Sequence, residues 1–131
     1  MLRARDASHF HLLHFPNCGQ ASRAQHFWAA VSKADGSGYL RLLKVQLVQR
    51  VASNPFGMAH KCMVKVEGNR IQAWLNGYPA IDVTDDTYKA GYIGLVGFTN
   101  FSHGAVSIGG KAAQAKPFDD KVPQVKNWFV P

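Results

Sequence analysis

Residues 60–110, HKCMVKVEGNRIQAWLNGYPAIDVTDDTYKAGYIGLVGFTNFSHGAVSIGG, restrict the possible folds more than any other part of the chain. Apolar and polar residues alternate here, break at Gly68-Asn69, at Asn76-Gly77 and between Thr84 and Gly91, and resume after each break. Alternation of period two bounded by turn residues marks half-buried antiparallel strands. Asn76-Gly77 is a strong hairpin signal, because both residues tolerate the positive φ that a type I′ turn requires. The pattern predicts strands over 61–67, 70–75, 78–83, 92–98 and 105–108. Val64, Val66, Ile71, Ala73, Leu75, Ile81 and Val83 form the inward set, with Gln72 and Trp74 on the opposite face of their strand.

The earlier sequence continues the theme. A short strand over 2–6 turns through Asp6-Ala7-Ser8 into a second over 9–15. There Phe10, Leu12 and His14 share one face, and His9, His11, Leu13 and Phe15 the other. After a loop at 16–20, residues 23–33 read as a strand that turns at 34–38 into YLRLLKVQLVQR, residues 39–50. That segment also satisfies helical spacing at 40, 43, 47 and 51; its β-branched residues and the tight turn before it favour a strand. About nine short strands without a helix define an all-β fold of two antiparallel sheets, a sandwich or barrel. Beyond Gly110 the alternation fades and Pro117 and Pro123 exclude regular pairing. The expected organisation is a β-sandwich over 1–110 and a C-terminal extension, 111–131, whose apolar end docks on the sandwich or on a partner.

With 131 residues, 47% hydrophobic and 18% charged, the chain has the composition of one globular domain. Its net charge of +7 comes from fifteen Lys and Arg scattered from Arg3 to Lys126 without a run. Scattered charge describes a solvated surface rather than a polyanion groove, and no nucleic-acid-binding motif is present. No apolar run reaches the length of a membrane span. The first fifteen residues lack the sections of a signal peptide and enter strand-like sequence at once, as expected of an excised domain or fragment. Cys18 and Cys62 either pair or remain free thiols; their spacing does not decide.

Five constellations bear on chemistry. The eight acids, Asp6, Asp35, Glu67, Asp82, Asp85, Asp86, Asp119 and Asp120, fall mostly in turns, and no strand carries the closely spaced acids of a glucanase. No Ser-His-Asp order, phosphate-cradling glycine motif or CxxC occurs, so no catalytic residue is assigned. His9 and His11 share a strand face, a weak zinc-chelating pattern. Asp82, Asp85 and Asp86 cluster in an oxygen-rich loop of the kind that suits Ca²⁺. Lastly, His26 with Trp28, Tyr39 with Arg41, and Gln72 with Trp74 form polar–aromatic pairs. On one concave sheet they would make a platform for a sugar.

The segment HKCMVKVEGNRIQAWLNGYPAIDVTDDTYKAGYIGLVGF, with Arg5-Asp6-Ala7-Ser8-His9-Phe10-His11-Leu12-Leu13 upstream, resembles the concanavalin A-like lectin/glucanase superfamily. It looks most like the laminin-G-like and 3-keto-disaccharide-hydrolase-type domains of bacterial secreted proteins. The resemblance covers roughly residues 2–110 and implies a jelly-roll sandwich and an extracellular or periplasmic location. It further implies a carbohydrate-binding or accessory domain of a glycan-processing protein. A hydrolase of sugar derivatives and a structural or protein-interaction module are the alternatives it leaves open. Several laminin-G-like relatives bind Ca²⁺ at the sheet rim. Complete domains of this kind carry further strands before the one that holds Arg5 and Asp6; here these are expected to be absent or very short, which would leave a sheet edge open to a second copy or a neighbouring domain.

Overall fold

The computed structural model describes residues 1–15, 27–48 and 61–94. These form seven strands: β1 (Leu2–Asp6), β2 (His9–His14), β3 (Phe27–Asp35), β4 (Leu40–Val48), β5 (Cys62–Glu67), β6 (Arg70–Leu75) and β7 (Tyr78–Thr84). The first four build one antiparallel sheet in the order β1-β2-β3-β4, and the last three a second in the order β5-β6-β7. The expected strands over 105–108 and most of 92–98, and the extension over 111–131, lie outside the described residues.

The turns follow from their residues. Asn76 and Gly77 have φ of 51° and 85°, the positive pair of a type I′ hairpin. At the β1–β2 turn the Asp6 carboxylate accepts the Ser8 amide at 2.7 Å, an Asx turn.

Alternation then decides what is buried. Ile71, Ala73, Leu75, Ala80 and Ile81 from the second sheet pack with Leu2, Ala29, Val31 and Val48 from the first, making one core between the sheets. Val66 and Val83 pack at its border, whereas Val64 on the edge strand β5 remains 37% exposed. The opposite face of the four-stranded sheet carries a second cluster of Ala4, Phe10, Leu12, Ala34 and Leu40. The arrangement is thus all-β and sandwich-like.

β4 shows why residues 39–50 mimic a helix. Its register against β3 slips by one residue between Val31 and Ser32, so Leu43 is an extra residue. Leu40 therefore joins the second cluster, while Leu43 and Val48 reach the core between the sheets. A β-bulge, serving apolar residues to both faces, breaks the period of two.

Beyond β7 the chain returns to β1. Tyr92 and Ala4 exchange backbone hydrogen bonds of 2.9 Å, and the Gly94 amide donates to Met1 O at 3.1 Å. This covers the edge of β1 over Met1–Ala4. Gly91 permits the approach: its φ is 150°, and a Cβ there would sit 2.5 Å from the Arg3 carbonyl carbon.

Candidate functional site

Two clusters of charged side chains stand out, one enclosed between the sheets and one open on the outer face of the second sheet.

The enclosed cluster starts in the register of β2 and β3, where His11 is opposite Lys33 and both side chains face the second sheet. Asp85, just after β7, reaches across to them. His11 Nε2 donates to Asp85 Oδ1 at 3.0 Å, Lys33 Nζ to Asp85 Oδ2 at 3.2 Å, and Lys33 Nζ to Thr87 Oγ1 at 2.7 Å. The Thr87 amide adds a bond to Asp85 Oδ1 at 2.9 Å. Arg3 is buried nearby with φ of 50° at the irregular stretch of β1, and its Nη2 donates to Gly68 O. The His11 side chain is fully enclosed and that of Asp85 is 13% exposed.

Burial works against the charged form of Asp85, but hydrogen bonds from Thr87, His11 and Lys33 outweigh it and hold the carboxyl far below its usual range. Burial pulls the His11 pKa down, and Asp85 only partly restores it. The same burial lowers the Arg3 pKa, against the pull of Asp85 and Asp86. Tyr88 closes this end of the sandwich: its hydroxyl donates to Ala34 O at 2.6 Å and its ring meets His11 edge-on at 5.1 Å. The His11–Asp85 pair, with His11 fully buried and Asp85 reaching solvent only at its edge, binds the two sheets together.

The open cluster lies on β6, with Ile71, Ala73 and Leu75 inward and Arg70, Gln72 and Trp74 outward. Arg70 donates through Nε to Asp82 Oδ1 at 2.8 Å and through Nη2 to Asp82 Oδ2, while Gln72 Nε2 donates to Oδ2 at 3.2 Å. Hydrogen bonding by Arg70 lowers the Asp82 pKa. On β5, Lys65 pairs with Glu67 at 2.7 Å. Trp74 is half-buried between Met63 on β5 and Pro79 on β7. A flat aromatic, an amide and a bidentate Arg–carboxylate pair thus follow one another along one accessible sheet face.

Gln72 and Trp74 are therefore brought together. Trp28 is half-buried on the four-stranded sheet, opposite Leu47 and on the face away from the second sheet. Tyr39 is exposed at the turn before β4, and Arg41, opposite Lys33, pairs with Asp35 at 3.6 Å. His26 lies outside the described residues. The five described residues of the expected platform are thus spread over both sheets.

The three aspartates expected in one loop diverge: Asp82 lies on β7 and faces Arg70, Asp85 faces His11 and Lys33, and Asp86 accepts from Asn69 Nδ2 at 3.2 Å. His9 and His11 also diverge, His9 Nδ1 donating to the Asp6 carboxylate at 2.9 and 3.0 Å. Among the described residues no three His, Cys, Asp or Glu side chains gather as metal ligands. Cys62 is exposed as a free thiol, and Cys18 lies outside the described residues. No described helix is long and apolar enough to cross a membrane.

Sequence reasoning missed the enclosed cluster. The signal available was the outlying polar pair His11 and Lys33 on faces that otherwise turn to the core. No family model, curated protein or solved structure matches this chain.

Proposed function

We propose that the chain is a carbohydrate-binding or accessory domain of a glycan-processing protein, and that it holds sugar on the outer face of β6. The observation that carries this reading is the row of Trp74, Gln72 and the Arg70–Asp82 pair along one face of β6. Aromatic rings offer broad apolar area for sugar C–H faces, while amide and charged groups bond hydroxyls and fix orientation. The finer reading of the fold, a concanavalin A-like jelly roll, is supported by the two antiparallel sheets and by the return of residues 92–94 beside β1.

A glycan array probed with the whole chain tests the reading, followed by titration of the best ligand into Trp74→Ala. Glycan binding that weakens by about 30-fold or more in a folded variant is the expected result, the size of a central aromatic contact. An empty array, or undiminished binding by the variant, overturns it.

A further inference from the structure

The charges on this face indicate which glycans it accepts. Its cationic groups on β5 and β6 are already matched: Lys65 lies 2.7 Å from Glu67, and Arg70 grips Asp82 through two nitrogens. On β5 to β7 two cations and two carboxylates balance, and Lys44, reaching in from β4, is itself engaged, its Nζ donating to the Asp82 carbonyl oxygen at 2.8 Å, although the whole chain carries +7. An anionic sugar would have to draw Lys65 or Arg70 away from its carboxylate, and its own charge would then face that carboxylate at close range. Sugar hydroxyls, in contrast, both donate and accept, so they can join the existing bonds without breaking them. The Asp82 carboxylate takes three N–H groups, from Arg70 twice and from Gln72, of the about four it can accept.

The apolar and polar parts of the face are also separated along the strand. Trp74, with Met63 and Pro79 at its sides, is at one end, Gln72 follows, and Arg70 with Asp82 is at the other. At about 3.3 Å per residue, Trp74 and Arg70 are about 13 Å apart along β6, more than one sugar ring spans.

Building on the carbohydrate reading above, we propose that the face selects an uncharged glycan chain lying along β6, one ring stacked on Trp74 and further rings at Gln72 and the Arg70–Asp82 pair.

The test is calorimetric titration of the whole chain with neutral oligosaccharides, oligouronates and sulfated oligosaccharides, each in low and high salt. Neutral oligosaccharides should bind, with affinity changing less than about twofold as salt rises from about 0.05 to about 0.5 M, because little net charge is screened. They should bind at least about tenfold more tightly than the matching monosaccharide, and Gln72→Ala and Trp74→Ala should both weaken them. Preference for the oligouronates or sulfated chains, falling steeply with salt, overturns the proposal while leaving carbohydrate binding in place. Equal affinity for monosaccharide and oligosaccharide overturns the extended mode. No binding in any of the three classes overturns the proposal and the carbohydrate reading beneath it. Far-ultraviolet circular dichroism of both variants, matched to the parent chain, confirms that weakened binding is a loss of contacts at the face.

Discussion

The enclosed and the open clusters use nearly the same side chains for opposite ends. Arg3, His11, Lys33 and Asp85 meet between the sheets, and Arg70, Gln72 and Asp82 meet on an outer face. What separates them is solvent. In the enclosed cluster the Asp85 charge, 13% exposed, depends mainly on its protein partners to replace lost water, so each partner matters. In the open cluster the Asp82 side chain is 45% exposed and water can replace any partner that leaves. The first arrangement ties strands together; the second leaves polar groups in contact with water, on the face proposed to hold a glycan.

Replacing one aspartate in each cluster should break the symmetry most clearly. Asp85→Ala leaves Lys33 and Arg3 without their balancing charge, and should cost about 3 kcal/mol in urea unfolding, the lower end for a broken buried pair because Asp85 keeps some solvent contact. Asp82→Ala should leave the urea midpoint unchanged. Equal losses in the two variants would mean that burial does not distinguish the clusters.

Acid should also act on the enclosed side. Burial lowers the pKa of both His11 and His14 from 6.5, so below that value the unfolded chain takes up protons that the folded chain refuses. Their contribution is full above about pH 6.5 and is lost as pH falls toward the folded-state values, with a slope approaching about 1.4 kcal/mol per pH unit for each ring. His11 is surrounded by Arg3 and Lys33 as well as by Asp85, and the two cations oppose its protonation. Urea unfolding between pH 7.5 and pH 5.5 checks the slope, and His11→Gln should reduce it by about half, leaving the His14 share.

Gly91→Ala should destabilise by more than about 1 kcal/mol, because its φ suits glycine and a methyl group would meet the β1 backbone. Hydrogen exchange at the Ala4 and Tyr92 amides should accelerate in the variant, showing that the strand return has opened.

Local chemistry explains what the sequence disclosed. Asn76-Gly77, the alternation of Ile71, Ala73 and Leu75, and the outward set of Gln72 and Trp74 all depend on residues within a few positions of one another, so pattern reading reaches them. The bulge in β4 is a pairing property, and its break in the period of two left Leu40 and Leu43 readable as helical spacing. Asp85 lies 74 positions from His11 and 52 from Lys33, and only the packing of one sheet on the other joins them. The same distance effect hid the division of Trp28 and Trp74 between the two sheets, since each strand taken alone shows only which residues share its faces.

Differential scanning calorimetry of the parent chain and Trp74→Ala, each with and without a saturating neutral oligosaccharide, reads folding and recognition together. At about 100 times its dissociation constant the sugar should stabilise the parent by about 2.7 kcal/mol. Trp74→Ala gives up the packing of a half-buried ring and should lose no more than a few degrees of Tm without sugar. With sugar its gain should be no more than about 0.9 kcal/mol, a third of the parent's, because a site about 30-fold weaker is only partly filled at the same concentration. An equal rise in both chains, or a Tm of the bare variant far below the parent, would contradict the account.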